Sequence, residues 1–90
     1  MNWTLLHYCA DRGFVSTLQH IIDILESDID INVKSSTGDT PLHLAIKQFR
    51  FNMIKYLLYN GSWVDLKDSE GNTSRDLLWD AGLLYLIDNL

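Results

Sequence analysis

Apolar residues recur along this 90-residue chain in short helical bursts, separated by small polar turns. Met53, Ile54, Leu57 and Leu58 fall at i, i+1, i+4 and i+5, which places them on one face of a helix over Asn52–Tyr59. Similar bursts predict helices over Thr4–Asp11, Ser16–Ser27, Pro41–Gln48, Ser74–Ala81 and Leu83–Asn89. The segments Ser35–Asp39 and Asp68–Asn72 are rich in Gly, Ser and Asp, which turn a backbone for distinct conformational reasons. Thr40 can cap a helix start, and Pro41 suits the first helical position, where its missing N–H is harmless. Asn60-Gly61 predicts a left-handed end to the helix before it. The pattern is all-α.

The bursts repeat. Thr4-Leu5-Leu6-His7 returns 36 residues later as Thr40-Pro41-Leu42-His43. Gly38-Asp39-Thr40 returns 33 residues later as Gly71-Asn72-Thr73, and Lys34, Ile31 and Asn32 match Lys67, Val64 and Asp65 at the same offset. Matching Ile24-Leu25 with Leu57-Leu58 as well places a three-residue insertion between Ala10 and Ile24. Each unit reads turn, short helix, second helix, giving repeats of roughly 1–34, 35–67 and 68–90 within a single domain. A lone helix pair cannot bury both of its faces, so such units must stack, and about three are the minimum.

The middle unit, Gly38-Asp39-Thr40-Pro41-Leu42-His43-Leu44-Ala45 followed by Leu57-Leu58, Asn60-Gly61 and Val64-Asp65, resembles the ankyrin repeat. The first unit keeps Thr4-x-Leu6-His7, Cys9-Ala10 and Asp11-Arg12-Gly13. The third keeps Gly71-x-Thr73, Asp76-Leu77 and Ala81-Gly82. The resemblance implies a solenoid of about three antiparallel helix pairs, with turns projecting to one side and a concave face that binds proteins. It also implies structural roles for Thr4, Thr40 and Thr73 as caps, for Gly38 and Gly71 in the turns, and for His7 and His43 as bonds to their own and neighbouring turns. The family's usual contact positions fall here on Asp11, Arg12, Lys34, Ser36, Thr37, Asp39, Lys47, Gln48, Lys67, Ser69, Glu70, Asn72 and Asp80. The string Leu5–Gly13 also resembles the first repeat of ankyrin modules at the C-terminus of some acyl-CoA-binding proteins, which gives an alternative role as an accessory module of a lipid carrier. The acyl-CoA-binding bundle itself is not in these residues, so no ligand site carries over.

Composition narrows the function. Twelve acidic residues against seven basic ones give a net charge of −5. A sequence-independent grip on nucleic acid needs the opposite balance, as does docking on anionic lipid by charge. The longest apolar run, Leu83–Ile87, is far below the ~20 residues of a membrane span, and no basic start precedes an apolar core at the N-terminus. A single Cys cannot make an internal disulfide, which points to a reducing, cytoplasmic setting.

The candidate chemistry is thin. His7 and His43 share one slot in two repeats, and repetition favours a structural device over a metal or catalytic pair. Cys9 aligns with Ala45, a small helix position, and no second Cys exists for zinc. Asp28-x-Asp30-x-Asn32 opens like a calcium loop, but Val33 and Asp39 stand where Gly and a bidentate Glu are needed. No phosphate loop or nucleophile elbow occurs. The reading is therefore a non-catalytic protein-binding module with no cofactor or metal.

Two aromatic residues depart from the pattern. Phe49 stands where the family has Gly between its two helices, a slot that often needs positive φ, so an altered turn is expected there. Trp63 stands at a connector position that is usually small and polar. Its residues leave two readings open: a binding anchor, or a cover for the apolar edge of the third repeat.

Overall fold

The computed structural model describes residues 2–25 and 29–88. Those residues form helices α1 (Leu5–Arg12), α2 (Val15–Leu25), α3 (Pro41–Lys47), α4 (Phe51–Tyr59) and α5 (Ser74–Asp80), then a 3-10 turn at Leu84–Leu86. The ends of the predicted second and last helices, at Ser27 and Asn89, lie outside the described residues, as does Asp28. The last predicted helix is a 3-10 turn over its described part.

Helices α1, α3 and α5 lie side by side as an inner layer, with α2 against α1, α4 against α3, and α2 touching α4. One continuous core joins them, built from Leu6, Cys9, Ala10, Leu18, Leu42, Ala45, Ile46, Met53, Ile54, Leu57, Leu58, Leu78 and Leu86. The middle unit has neighbours on both sides, so every residue from Pro41 to Ile46 is buried. Full burial of a Leu or Ile contributes about 1.5–3 kcal/mol, so the central pair anchors the stack. Cys9 is part of this core, and burial pushes its thiol above the ordinary range, which leaves it inert.

All three inner helices start in the same way. Thr4, Thr40 and Thr73 hold extended backbone at φ −82°, −85° and −86°, and each hydroxyl accepts the backbone N–H three residues on. The third residue closes the box in return. His7 Nδ1 accepts Thr4 N–H at 3.0 Å, His43 Nδ1 accepts Thr40 N–H at 3.0 Å, and the Asp76 carboxylate accepts Thr73 N–H at 3.1 Å. Imidazole thus does the work usually given to Glu in a capping box.

The three-residue insertion sits later than the sequence suggests. Leu18 and Ile54, 36 residues apart, are both fully buried, and α2 and α4 begin 36 residues apart. The extra length follows Leu18: α2 runs 11 residues against 9 for α4. Ile21-Ile22 therefore correspond to Leu57-Leu58, while Ile24 and Leu25 lie on the extra turn and stand 66% and 47% exposed.

The turn at Phe49 is not altered. Gly13, Phe49 and Gly82 occupy one slot and all take positive φ, at 73°, 55° and 74°. In each turn this residue's N–H bonds the carbonyl three residues back, and the next N–H reaches five residues back: Gly13 to Ala10 and Phe14 to Cys9, Phe49 to Ile46 and Arg50 to Ala45, Gly82 to Trp79 and Leu83 to Leu78. The fold imposes a left-handed helix end on an aromatic residue. A Cβ in that region costs about 1–2 kcal/mol, and Phe49 accepts the cost.

Candidate functional site

The repeats are joined through histidine. Because Nδ1 of each ring accepts a threonine N–H, the proton stays on Nε2. His7 Nε2 then donates to the Asp39 carbonyl at 2.8 Å, and His43 Nε2 to the Asn72 carbonyl at 3.1 Å. Both rings are fully buried. Each imidazole therefore closes its own helix and holds the next unit's turn. Burial pushes the His43 imidazole below its usual range, against the pull of the Asn72 carbonyl and of Asp39 and Asp68, with Lys47 adding to the lowering.

Those turns form a row. Ser35 N–H bonds the Asp39 carbonyl at 2.9 Å, and Asp68 N–H bonds the Asn72 carbonyl at 2.9 Å, so both have the same internal geometry. Ser69 N–H donates across to the Thr37 carbonyl at 2.9 Å, and Lys34 Nζ to the Lys67 carbonyl at 2.8 Å. Lys67 also forms an isolated bridge with Thr73. Gly38 allows this close approach. At φ +79°, a Cβ on it would meet Ser69 N at 2.8 Å and the Asp68 carbonyl carbon at 3.0 Å.

An ion cluster clamps the row to α3. Lys47 Nζ lies 2.7 Å from Asp39 Oδ1 and 3.3 Å from Asp68 Oδ2. The Asp68 side chain is only 2% exposed. Its Oδ1 also accepts Glu70 and Asn72 N–H, both at 2.9 Å. Burial pushes this carboxyl up, but the Asn72 bond, the Lys47 bond, the Glu70 bond and the Lys47 charge outweigh it and hold it below the usual range. Burial lowers Lys47 in the same way, and Asp39 and Asp68 more than compensate, leaving it raised.

The expected contact residues thus divide by geometry. Asp39 is buried, and its carboxylate accepts Thr37 Oγ1 at 2.8 Å as well as Lys47. Asp11 and Asn72 are half-buried; the Asp11 carbonyl accepts Arg50 Nε, and the Asn72 carbonyl takes His43. Arg12, Lys34, Ser36, Thr37, Lys47, Gln48, Lys67, Ser69, Glu70 and Asp80 are exposed, though the Lys47 and Lys34 ammonium groups and the Thr37 hydroxyl are engaged as above. Trp63 stands on the connector after α4, away from the turn tips in sequence; the residue is 63% exposed, and its backbone N–H donates to Asn32 Oδ1. Asp30 and Asn32, from the calcium-like string, serve the connectors: Asp30 Oδ1 accepts Asn32 N–H at 2.9 Å. Among the described residues no group of three acidic, His or Cys side chains is arranged to hold a metal, and no helix is long and apolar enough to cross a membrane.

Asp68 escapes sequence reading. It aligns with Ser35 and looks like one more turn residue. Its one signal is the spacing Asp68-x-Glu70-x-Asn72, which suits a carboxylate accepting the two following N–H groups.

Comparison with known proteins accords with this geometry. A family model described as ankyrin repeats (3 copies) matches residues 1–74. Human ankyrin repeat domain-containing protein SOWAHB is 37% identical over 74 residues, covering 78% of this chain and 9% of that protein. A putative ankyrin repeat protein of fowlpox virus is 37% identical over 59 residues, covering 66% of this chain and 31% of that protein. Human ankyrin repeat domain-containing protein 37 is 31% identical over 77 residues, covering 86% and 47%. The chain spans less than half the length of each of these relatives. The Leu5–Gly13 string is α1 with its left-handed cap, a feature of the repeat itself, and adds nothing for acyl-CoA binding.

Proposed function

Because this chain belongs to the ankyrin-repeat family, we propose that it is a non-catalytic module that binds a protein partner across its turn row and inner helix ends. One observation carries the reading. The row is tied together from within by backbone groups, the two imidazoles and the Lys47 clamp, while the side chains of Lys67, Ser69, Glu70, Gln48 and Asp80 stand in solvent. A rigid platform with side chains that the fold does not use is a surface on which recognition can be encoded without disturbing stability. Arg12 extends it, Lys34 and Thr37 flank it while their polar ends tie the row together, and Trp63 is a second, outlying contact. Asp39 and Lys47 act by holding the row in place. The buried lone thiol suits a reducing, cytoplasmic setting.

The test is a triple replacement, Gln48→Ala, Ser69→Ala and Glu70→Arg, measured against a partner recovered by pull-down. Affinity falls at least tenfold while stability stays within about 1 kcal/mol, as for exposed sites. Unchanged affinity with an intact fold moves the site to the outer helices.

A further inference from the structure

Among the described residues, Phe49 and Asn2 are the non-glycine residues with positive φ, and Phe49 is the bulky one. The same turn is built three times, and the other two copies use Gly13 and Gly82. Phe49 holds φ +55° and is 69% exposed as a residue, so the fold bears left-handed strain and gains little burial in return. A strained residue that its surroundings hold in place without benefit to the fold is a pointer to function. Beside it lies a shallow cleft between α3 and α5, lined by Ile46, Lys47, Phe49, Leu77, Asp80 and Ala81. Its floor is apolar. Its charges are unequal: Lys47 is engaged by two carboxylates, whereas Asp80 is exposed and has no ion pair among the described residues. Arg50, next along the chain, turns to the Asp11 carbonyl on the first repeat's side. The cleft therefore offers an apolar floor, an aromatic wall and an unanswered negative charge, on a chain whose net charge is −5.

We infer that Phe49 is the aromatic anchor of the binding surface, and that the cleft receives an apolar side chain flanked by Lys or Arg from an extended segment of the partner. This rests on the protein-binding reading above and names the chemistry of one part of it. The ring supplies contact area at low entropic cost, and Asp80 selects for the basic neighbour. A second copy of this chain is a poor occupant, because its charge repels.

The experiment is a titration of the 15N-labelled chain, followed by backbone amide shifts. The probes are three capped hexapeptides: Gly-Leu-Lys-Leu-Lys-Gly, the same with Glu for Lys, and the same with Ser for Leu. The first is expected to shift Ile46, Phe49, Leu77, Asp80 and Ala81 together and to saturate; the other two leave them still. Phe49→Gly abolishes the response yet raises the thermal midpoint by about 2–5 °C, since strain is removed. Asp80→Asn weakens binding about threefold or more and flattens its salt dependence. Equal response to the acidic probe, an unchanged response in Phe49→Gly, or a lowered midpoint in that variant overturns the inference. Concentration-dependent shifts of these amides without peptide also overturn it, in favour of a second copy. Shifts confined to Lys34–Asp39 and Lys67–Asn72 overturn the anchor and leave the turn-row reading standing; shifts on the outer helices alone count against both.

Discussion

Replacing His43 with Ala tests the reasoning about how the repeats are joined. The imidazole makes three contacts, with Thr40 N–H, Thr40 Oγ1 and the Asn72 carbonyl. Thr40 is 1% exposed, so its N–H has no access to water once Nδ1 is gone, and a buried unpaired donor costs about 1–3 kcal/mol. The Asn72 carbonyl loses less, because Asp68 N–H still reaches it. With the small cavity left by the ring, the expected loss is about 2–4 kcal/mol, out of roughly 5–13 kcal/mol for a domain of this size. His7→Ala removes the same bonds, but Thr4 is exposed and water can replace the lost acceptor, so about 1–2 kcal/mol is expected. Burial lowers the folded-state pKa of His43 below the ordinary ~6.5, so the folded chain binds fewer protons than the unfolded one. Stability from this group is complete above ~6.5 and is lost as pH falls from there through the folded value. Urea unfolding followed by tryptophan fluorescence at pH 8, 7, 6 and 5 measures both effects. A loss below 1 kcal/mol at pH 8, or an unchanged acid slope in the variant, would refute the argument, and zinc bound by the native chain and lost with the ring would replace it.

Gly38→Ala meets both φ +79° and the backbone of the next turn, so a loss of about 2–3 kcal/mol is expected; Gly71→Ala, at φ +83° with nothing near its Cβ, should lose only about 1 kcal/mol. Equal losses measured by thermal unfolding would mean that the turns are not in contact. Ser74→Pro should stabilise by about 0.5–1 kcal/mol: Ser74 Oγ is buried without a partner, the site matches Pro41, and Thr73 at φ −86°, ψ 163° already has the backbone a following proline requires. A lowered midpoint would show that its hydroxyl or N–H is in use. Lys47→Met should destabilise by about 1–2 kcal/mol near neutral pH by leaving Asp68 buried with its two N–H bonds alone. Stability contributed by Asp68 is present above its unfolded value near 3.9 and is lost as pH falls through the lower folded one, so the variant's acid limb between pH 4 and 2 should be shallower.

Much of this fold is legible because the same physical problem is solved three times. A Thr followed three residues later by His or Asp marks each inner helix, since only that spacing closes the cap from both sides. The misplaced insertion shows the limit of such reading. Apolar pairs recur on every turn of an amphipathic helix, so Ile24-Leu25 echoes Leu57-Leu58 without sharing its burial. Asp68 is hidden for another reason: its role depends on Lys47, 21 residues away, and a single turn gives no sign of a partner that the stack will bring. Phe49 is visible as a departure, but not in its outcome. A sequence shows that a bulky residue occupies a left-handed slot; whether backbone or side chain yields depends on the Ile46 and Ala45 carbonyls, which receive the N–H groups of Phe49 and Arg50 and hold the turn.

The same division limits how far the proposed contact surface can be drawn from sequence. Repetition identifies the residues a stack must share, and subtraction leaves those it need not, so turn tips and helix ends emerge as free to vary. Subtraction cannot separate a side chain free for a partner from one spent on the platform. Asp39 and Glu70 look alike in sequence, yet one lies buried with Thr37 and Lys47 while the other stands in solvent. The third unit carries the logic further. Asp76 keeps the cap of His7 and His43, but its carboxylate has no N–H to donate to a carbonyl of another turn. Arg75 and Trp79 are exposed where Leu42 and Ile46 are buried. Among the described residues Asp76 makes the local bond alone, so the capping role and the inter-repeat role of the imidazoles are separable. The two turns that imidazoles hold, Ser35–Asp39 and Asp68–Asn72, are thus tied both within their own unit and to the unit before, and these present the side chains proposed to meet the partner.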